Sequence, residues 1–138
     1  MIIRRIWRKI IGELNYAKKR GLNCGKNVSV MGNVNFGSEP YLIDIGDAVR
    51  ISFDVAFITH DGGTFAFRHL DKYKNTTAFG KIVIGNHTFI GARSIIMPGV
   101  RIGNNCVIGA GSIVFTNVAP NVTVMGNPAT ILMRHKDH

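Results

Sequence analysis

His60 and Asp61 open the segment HDGGTFAFRHLDKYKNTTAF, residues 60–79, and they are the side chains in this sequence best suited to proton-transfer chemistry. Imidazole accepts and returns a proton near neutral pH, which is what a general base for attack by a hydroxyl or an amine must do. The competing reading of His60 is a turn residue that caps a strand. A second chemistry needs three imidazoles around a metal, and His60, His69 and His87 are the internal candidates for it. Asp61 adjoins the base and is a candidate to orient its ring, although neighbours in sequence are awkwardly placed for that task. The cleft could also draw on Phe89, which either lines it or packs on the surface. Phe65, Phe67, Arg68 and His69 either grip an acceptor or fold over a neighbouring subunit.

The framework that must position His60 is a six-residue repeat. Ile84, Ile90, Ile96, Ile102, Ile108 and Val114 recur without a break. Two positions before each stands an apolar or small residue: Ile82, Thr88, Ser94, Val100, Cys106 and Ser112. Residues two apart share one face of a strand, so each hexad predicts a short strand with inward-pointing ends, then a turn. Gly85, Gly91, Gly103 and Gly109 follow the aliphatic residue, where glycine is expected for backbone angles that other residues resist. Asn86, Asn104 and Asn117 suit the same turns. Upstream the register runs through Ile43/Ile45, Val49/Ile51 and Val55/Phe57, and more weakly through Val28/Val30 and Val34/Phe36. From Phe36 to Ile45 the step is nine, which predicts a bulge at Ser38 to Pro40.

Three hexads close a triangle, so the chain reads as one all-β domain, a parallel β-helix of about four to five coils over residues 24–119. Residues 61–80 form its one extended loop and 120–138 a C-terminal tail. Residues 1–22 break the register as an amphipathic helix, with Ile2, Ile3, Ile6, Trp7, Ile10, Ile11 and Leu14 on one face. That helix either caps the open end of the solenoid or rests through residues 1–20 on an anionic membrane surface.

Lys and Arg number 17 against 8 acids, a net charge of +9 that favours anionic partners without choosing among them. No basic stripe interleaved with aromatics runs through the repeats, so nucleic acid is not an expected partner. Cys24 and Cys106 sit at inward positions and read as small core residues of a reducing cytoplasm. Charges interrupt the N-terminal apolar residues, which argues against a leader or a spanning helix. The expected location is cytoplasmic, with the inner membrane face as the alternative.

Thr59-His60-Asp61, the return through Ile82-Val83-Ile84-Gly85-Asn86, Ile108-Gly109-Ala110-Gly111-Ser112 and Gly126-Asn127-Pro128-Ala129 resemble the hexapeptide-repeat acyltransferases. The string THDGGTFAFR is similar to acetyltransferases of capsular polysaccharide and O-antigen synthesis. The resemblance implies a left-handed coil, an exception to the usual right-handed crossover. It also implies a homotrimer with active sites between subunits, and acetyl-CoA as donor with no metal required. His60 would be the general base acting on a sugar, lipid-linked glycan or polysaccharide acceptor, with Asp61 beside it. Coenzyme A would lie along the coil edge at Gly91, Ala92, Ala110, Gly111, Phe115 and Thr116, with Arg134 near its phosphates and a backbone N–H of Gly91 or Ala92 as oxyanion donor. Phe65, Arg68 and Phe89 would bind the acceptor. O-acetylation leads; N-acetylation of a nucleotide-linked amino sugar is the alternative, followed by a noncatalytic scaffold and a γ carbonic anhydrase-like zinc protein.

Overall fold

The computed structural model describes residues 1–136, so the last two residues of the expected tail lie outside the described residues. The N-terminal segment is two helices, α1 (Ile2–Ile11) and α2 (Glu13–Lys19), broken at Gly12 with φ +83°. A side chain rarely adopts that angle, so glycine is what permits the turn. Ala17 of α2 and Leu22 are buried against the first coil, whereas α1 buries none of its residues. Where one helix was expected over 1–22, only its second half packs on the solenoid.

The strands are two or three residues long and wind in circuits. The first circuit is β1 (Asn23–Cys24), β2 (Ser29–Val30) and β3 (Val34–Asn35), and the second is β4 (Ile43–Ile45), β5 (Arg50–Ile51) and β6 (Val55–Phe57). An antiparallel pair, β7 (His60–Asp61) and β8 (Ala78–Phe79), carries the expelled loop. The regular path resumes with β9 (Ile82–Ile84), β10 (Phe89–Ile90) and β11 (Ile95–Ile96), then β12 (Arg101–Ile102), β13 (Val107–Ile108) and β14 (Ile113–Val114). β15 (Val122–Gly126) extends the second face and returns through a cis Asn127-Pro128 peptide into antiparallel β16 (Ala129–Arg134). Three parallel stacks result: β1-β4-β9-β12, β2-β5-β10-β13-β15, and β3-β6-β11-β14.

The hexad residues form vertical columns. Ile45, Ile84 and Ile102 stack on one face, Ile51, Ile90 and Ile108 on the next, and Phe57, Ile96 and Val114 on the third. All nine are buried, and each contributes about 1.5–3 kcal/mol of apolar transfer. β-Branched side chains suit these positions because they pack rigidly on a pleated surface.

The turn chemistry departs from the expectation in one respect. Gly85, Gly91 and Gly103 are absent from the positive-φ residues; the left-handed corner falls two residues later, at His87, Arg93 and Asn105, with φ of 53°, 61° and 56°. Those glycines are needed for closeness: a Cβ on Gly91 would stand 2.5 Å from the Ala110 nitrogen of the next coil. The asparagines behave as expected and also link coils. Asn86 Oδ1 accepts from the Asp47 N–H at 2.8 Å, and Asn104 Oδ1 accepts from the Asn86 N–H at 2.7 Å.

Candidate active site

His60 is the third residue after β6, the third face of the second circuit, and stands at the root of the expelled loop. β7 holds it by pairing His60 with Phe79, the Gly80 N–H donates to the Thr59 carbonyl at 2.8 Å, and the Phe79 ring lies 5.6 Å from the imidazole. The position is thus set by the rigid coil and not by the loop tip.

The ring is oriented by a residue that the repeat analysis passed over. Nδ1 of His60 lies 2.5 Å from Oε1 of Glu39, a carboxylate only 6% exposed, and the Thr59 hydroxyl donates to the same oxygen at 3.3 Å. An ionised carboxylate only accepts, so Nδ1 carries the proton and Nε2 presents its lone pair. Nε2 has no protein partner among the described residues. A histidine held in this way is able to accept a proton at Nε2. Glu39 sits in the nine-residue step read as a bulge, immediately before the 3₁₀ turn Pro40–Leu42, with its carboxylate turned to His60 and not to the turn. A buried acid inside a break in an aliphatic register was the signal available in the sequence.

Asp61 faces the other way. Adjacent residues of a strand point to opposite sides, and its Oδ1 accepts from the Gly63 N–H at 2.8 Å, capping the turn Gly62–Phe67. It shapes the loop and does not touch the Nδ1 that Glu39 holds.

A groove of about 460 Å³ runs from His60 between the coil and the N-terminal helices. Beneath it lies the Phe36–Phe57 stack, rings 5.4 Å apart and nearly parallel, and its wall is Tyr16, Arg20, Arg8 and Glu13. Arg8 is neutralised by Glu13 at 2.7 Å, while Arg20 donates to the Ser38 carbonyl at 3.1 Å and lies over the Tyr16 ring. Arg20 is thus held in place with no carboxylate partner among the described residues. Tyr16 and Arg20 went unnoticed in the sequence because the helix face that brings them to His60 is set by packing.

The remaining candidates are distributed elsewhere. Gly91-Ala92 and Ala110-Gly111 stack at the corner after the second face, where the Gly111 N–H donates to the Ala92 carbonyl at 2.8 Å. The Gly91 N–H is already given to the Ile108 carbonyl at 2.7 Å, which leaves the Ala92 N–H as the available donor of the two. Phe115 and Thr116 share the corner of His60 but lie two rungs along it, about 10 Å away. Arg134 ends β16 beside Val122, and Phe89 stands on the outer second face between Arg50 and Val107. Phe65 is exposed, and Arg68 bonds within the loop to Thr64 and the Thr76 carbonyl. One chain therefore does not gather these residues around His60. Among the described residues no three His, Cys, Asp or Glu side chains converge as a metal set.

The family profile described as hexapeptide repeat of succinyl-transferase matches residues 81–116. Residues 81–116 thus carry the hexapeptide repeat. It is 52% identical over 114 residues to protein CapG of Staphylococcus aureus, an alignment covering 81% of this chain and 65% of CapG, just short of two thirds of that relative's length. A hexapeptide-repeat containing acetyltransferase of Vibrio cholerae, VCA0836, superposes with a TM-score of 0.69 at 25% identity, covering 90% of this chain and 80% of that one. A galactoside acetyltransferase solved with coenzyme A superposes with a TM-score of 0.59 at 27% identity, covering 90% and 70%. Parallel stacks of short strands with such neighbours fit a left-handed β-helix. No helix among the described residues is long and apolar enough to cross a membrane.

Proposed function

We propose that this hexapeptide-repeat protein is an acetyl-CoA-dependent O-acetyltransferase acting on a sugar hydroxyl in surface-polysaccharide synthesis. The observation that carries the reading is the His60 ring, held at Nδ1 by buried Glu39 and lining a groove. Its neighbours include the VCA0836 acetyltransferase complexed with acetyl coenzyme A, and the identity with CapG together with the THDGGTFAFR string supports a surface-glycan acceptor.

In this reaction Nε2 of His60 takes the acceptor proton as the hydroxyl oxygen bonds to the thioester carbonyl carbon. Glu39 stabilises the imidazolium that results. Collapse of the tetrahedral intermediate breaks the carbon–sulfur bond, and the imidazolium returns the proton to the departing thiolate. The Ala92 N–H is the candidate donor to the oxyanion. The acceptor sugar occupies the groove over Phe36 and Phe57, with Tyr16 and Arg20 as its wall, and the loop residues Phe65 and Arg68 and the outer Phe89 reach it from a neighbouring copy.

Such sharing follows from the triangular cross-section. The small-residue corner of Ala92 and Ala110 suits close approach of the pantetheine arm, with Phe115, Thr116 and Arg134 toward the nucleotide end, yet within one chain it is not the corner of His60. A homotrimer with sites between subunits resolves the separation, because three-fold symmetry sets one copy's corner against the next copy's different corner. Exposed Phe115, Ile131, Leu132 and Met133 give such an assembly apolar surface to bury.

The test is release of free thiol from acetyl-CoA against a panel of glycosides, amino sugars, nucleotide sugars and oligosaccharides. Light scattering on the same samples reads the oligomer. His60→Ala should keep the trimer and lower transfer by about 10²–10⁴-fold. Transfer near the wild-type rate would remove His60 as base, and transfer confined to free amino groups would replace O- by N-acetylation.

A further inference from the structure

Apart from Arg8, which reaches the groove wall, helix α1 stands clear of the solenoid. Its residues 2–10 are all exposed, with Ile2 at 73%, Ile3 at 81%, Ile6 at 55% and Ile10 at 74%. At 100° per residue these side chains and Trp7 occupy one half of the helix, and Arg4, Arg5, Arg8 and Lys9 fill the other half without an acid among them. Only Arg8 is neutralised, by Glu13 beyond the helix; Arg4, Arg5 and Lys9 have no ion-pair partner among the described residues. What packing the N-terminal segment supplies to the first coil comes from Ala17 and Leu22, and no residue of α1 is buried.

We infer that α1 is an in-plane membrane helix that docks the enzyme on an anionic lipid surface. An exposed apolar face flanked only by cations is complementary to a hydrocarbon boundary beneath acidic headgroups. A second copy of the helix is the poorer occupant, since apposing two such faces would also crowd their rows of arginine and lysine. Ten residues span about 15 Å along the axis, too short to cross a bilayer and sufficient to lie at its interface. Trp7, at the edge of the apolar face and packed edge-on against Tyr16, stands where an indole meets the headgroup level. Gly12, with φ +83°, joins this helix to the packed α2, so the docked helix and the groove beside Tyr16 and His60 belong to one end of the molecule. Docking does not depend on the role of His60, and the two readings fail separately.

Trp7 is the only tryptophan of the chain, so its emission reports α1 alone. The full chain is mixed with vesicles of phosphatidylcholine containing about a third phosphatidylglycerol, and with pure phosphatidylcholine vesicles, and partitioning is read by co-sedimentation and by the Trp7 blue shift. Pelleting and a blue shift are expected with the anionic vesicles only. Ile6→Asp/Ile10→Asp should abolish both signals. Arg4→Gln/Arg5→Gln should lower partitioning by about thirtyfold, about fivefold for each cation. Neither pair is buried, so both variants should keep the wild-type circular dichroism and oligomer size. The proposal is overturned if the wild type stays in the supernatant with anionic vesicles, or if it binds neutral vesicles equally. It is also overturned if the aspartate pair dissociates the oligomer, which would make the apolar face a contact between copies.

Discussion

Substituting Glu39→Gln keeps the shape of the side chain that holds His60 and removes only its charge. In the proposed transfer the imidazole becomes an imidazolium, so the carboxylate would interact far more strongly with the transition state than with the resting protein. With about 4 Å between charge centres, the attraction is about 4 kcal/mol for a pair near a protein surface and about 1 kcal/mol in bulk water. Glu39 is nearly enclosed while the His60 side chain is 41% exposed, which places the pair between those limits, at about 2–3 kcal/mol. The expected outcome is a fall in kcat of about 30- to 200-fold with the KM for acetyl-CoA little changed, read by thiol release at saturating acceptor. Asp61→Asn is the matched control, since Asp61 caps the loop turn and leaves Nδ1 alone. It should stay within about threefold of wild type. Full activity in Glu39→Gln, or an equal loss in Asp61→Asn, would refute the assignment of Glu39 as the orienting group. A melting curve on each variant separates lost charge from lost fold, because Glu39 is also bonded by Thr59.

Two further outcomes concern the scaffold. Gly91→Ala should cost about 2–4 kcal/mol, because the added methyl would meet the Ala110 nitrogen at 2.5 Å. Gly111→Ala has open space around its Cβ but a φ of +72°, and should cost only about 1 kcal/mol; comparing the two melting temperatures tests closeness against backbone angle. Desolvation in the first coil holds the Cys24 thiol above its ordinary pKa, with Lys18 opposing in part. The folded chain therefore keeps this proton after the unfolded chain has lost it, so the thiol's contribution to stability is intact below the ordinary thiol range and falls as pH rises through it. Alkylation of native Cys24 by iodoacetamide should need a higher pH than alkylation of the denatured chain, and identical pH profiles would contradict the burial.

The six-residue register of Ile84 through Val114 was enough to specify strand positions, the buried columns and the triangular winding. Each hexad is locally identical, and its inward residues have no other way to leave water. The same regularity located the expelled loop and placed His60 at its root, since a break in a strict period is visible wherever it falls. What the register left undecided involves contacts between residues far apart in sequence. Glu39 meets His60 across 21 positions because one circuit of the helix returns the nine-residue step to the level of the loop root. Asp61, adjacent to His60, was the natural guess and fails because strand neighbours point apart. Likewise the glycines were legible as special, but only stacked coils show that room, and not backbone angle, is what Gly91 supplies. The amphipathic pattern of residues 2–20 could not separate a cap from an interfacial helix. Folding divides it at Gly12: α2 buries Ala17 against the coil, and α1 keeps its isoleucines exposed because the break at Gly12, with φ +83°, separates it from the segment that packs.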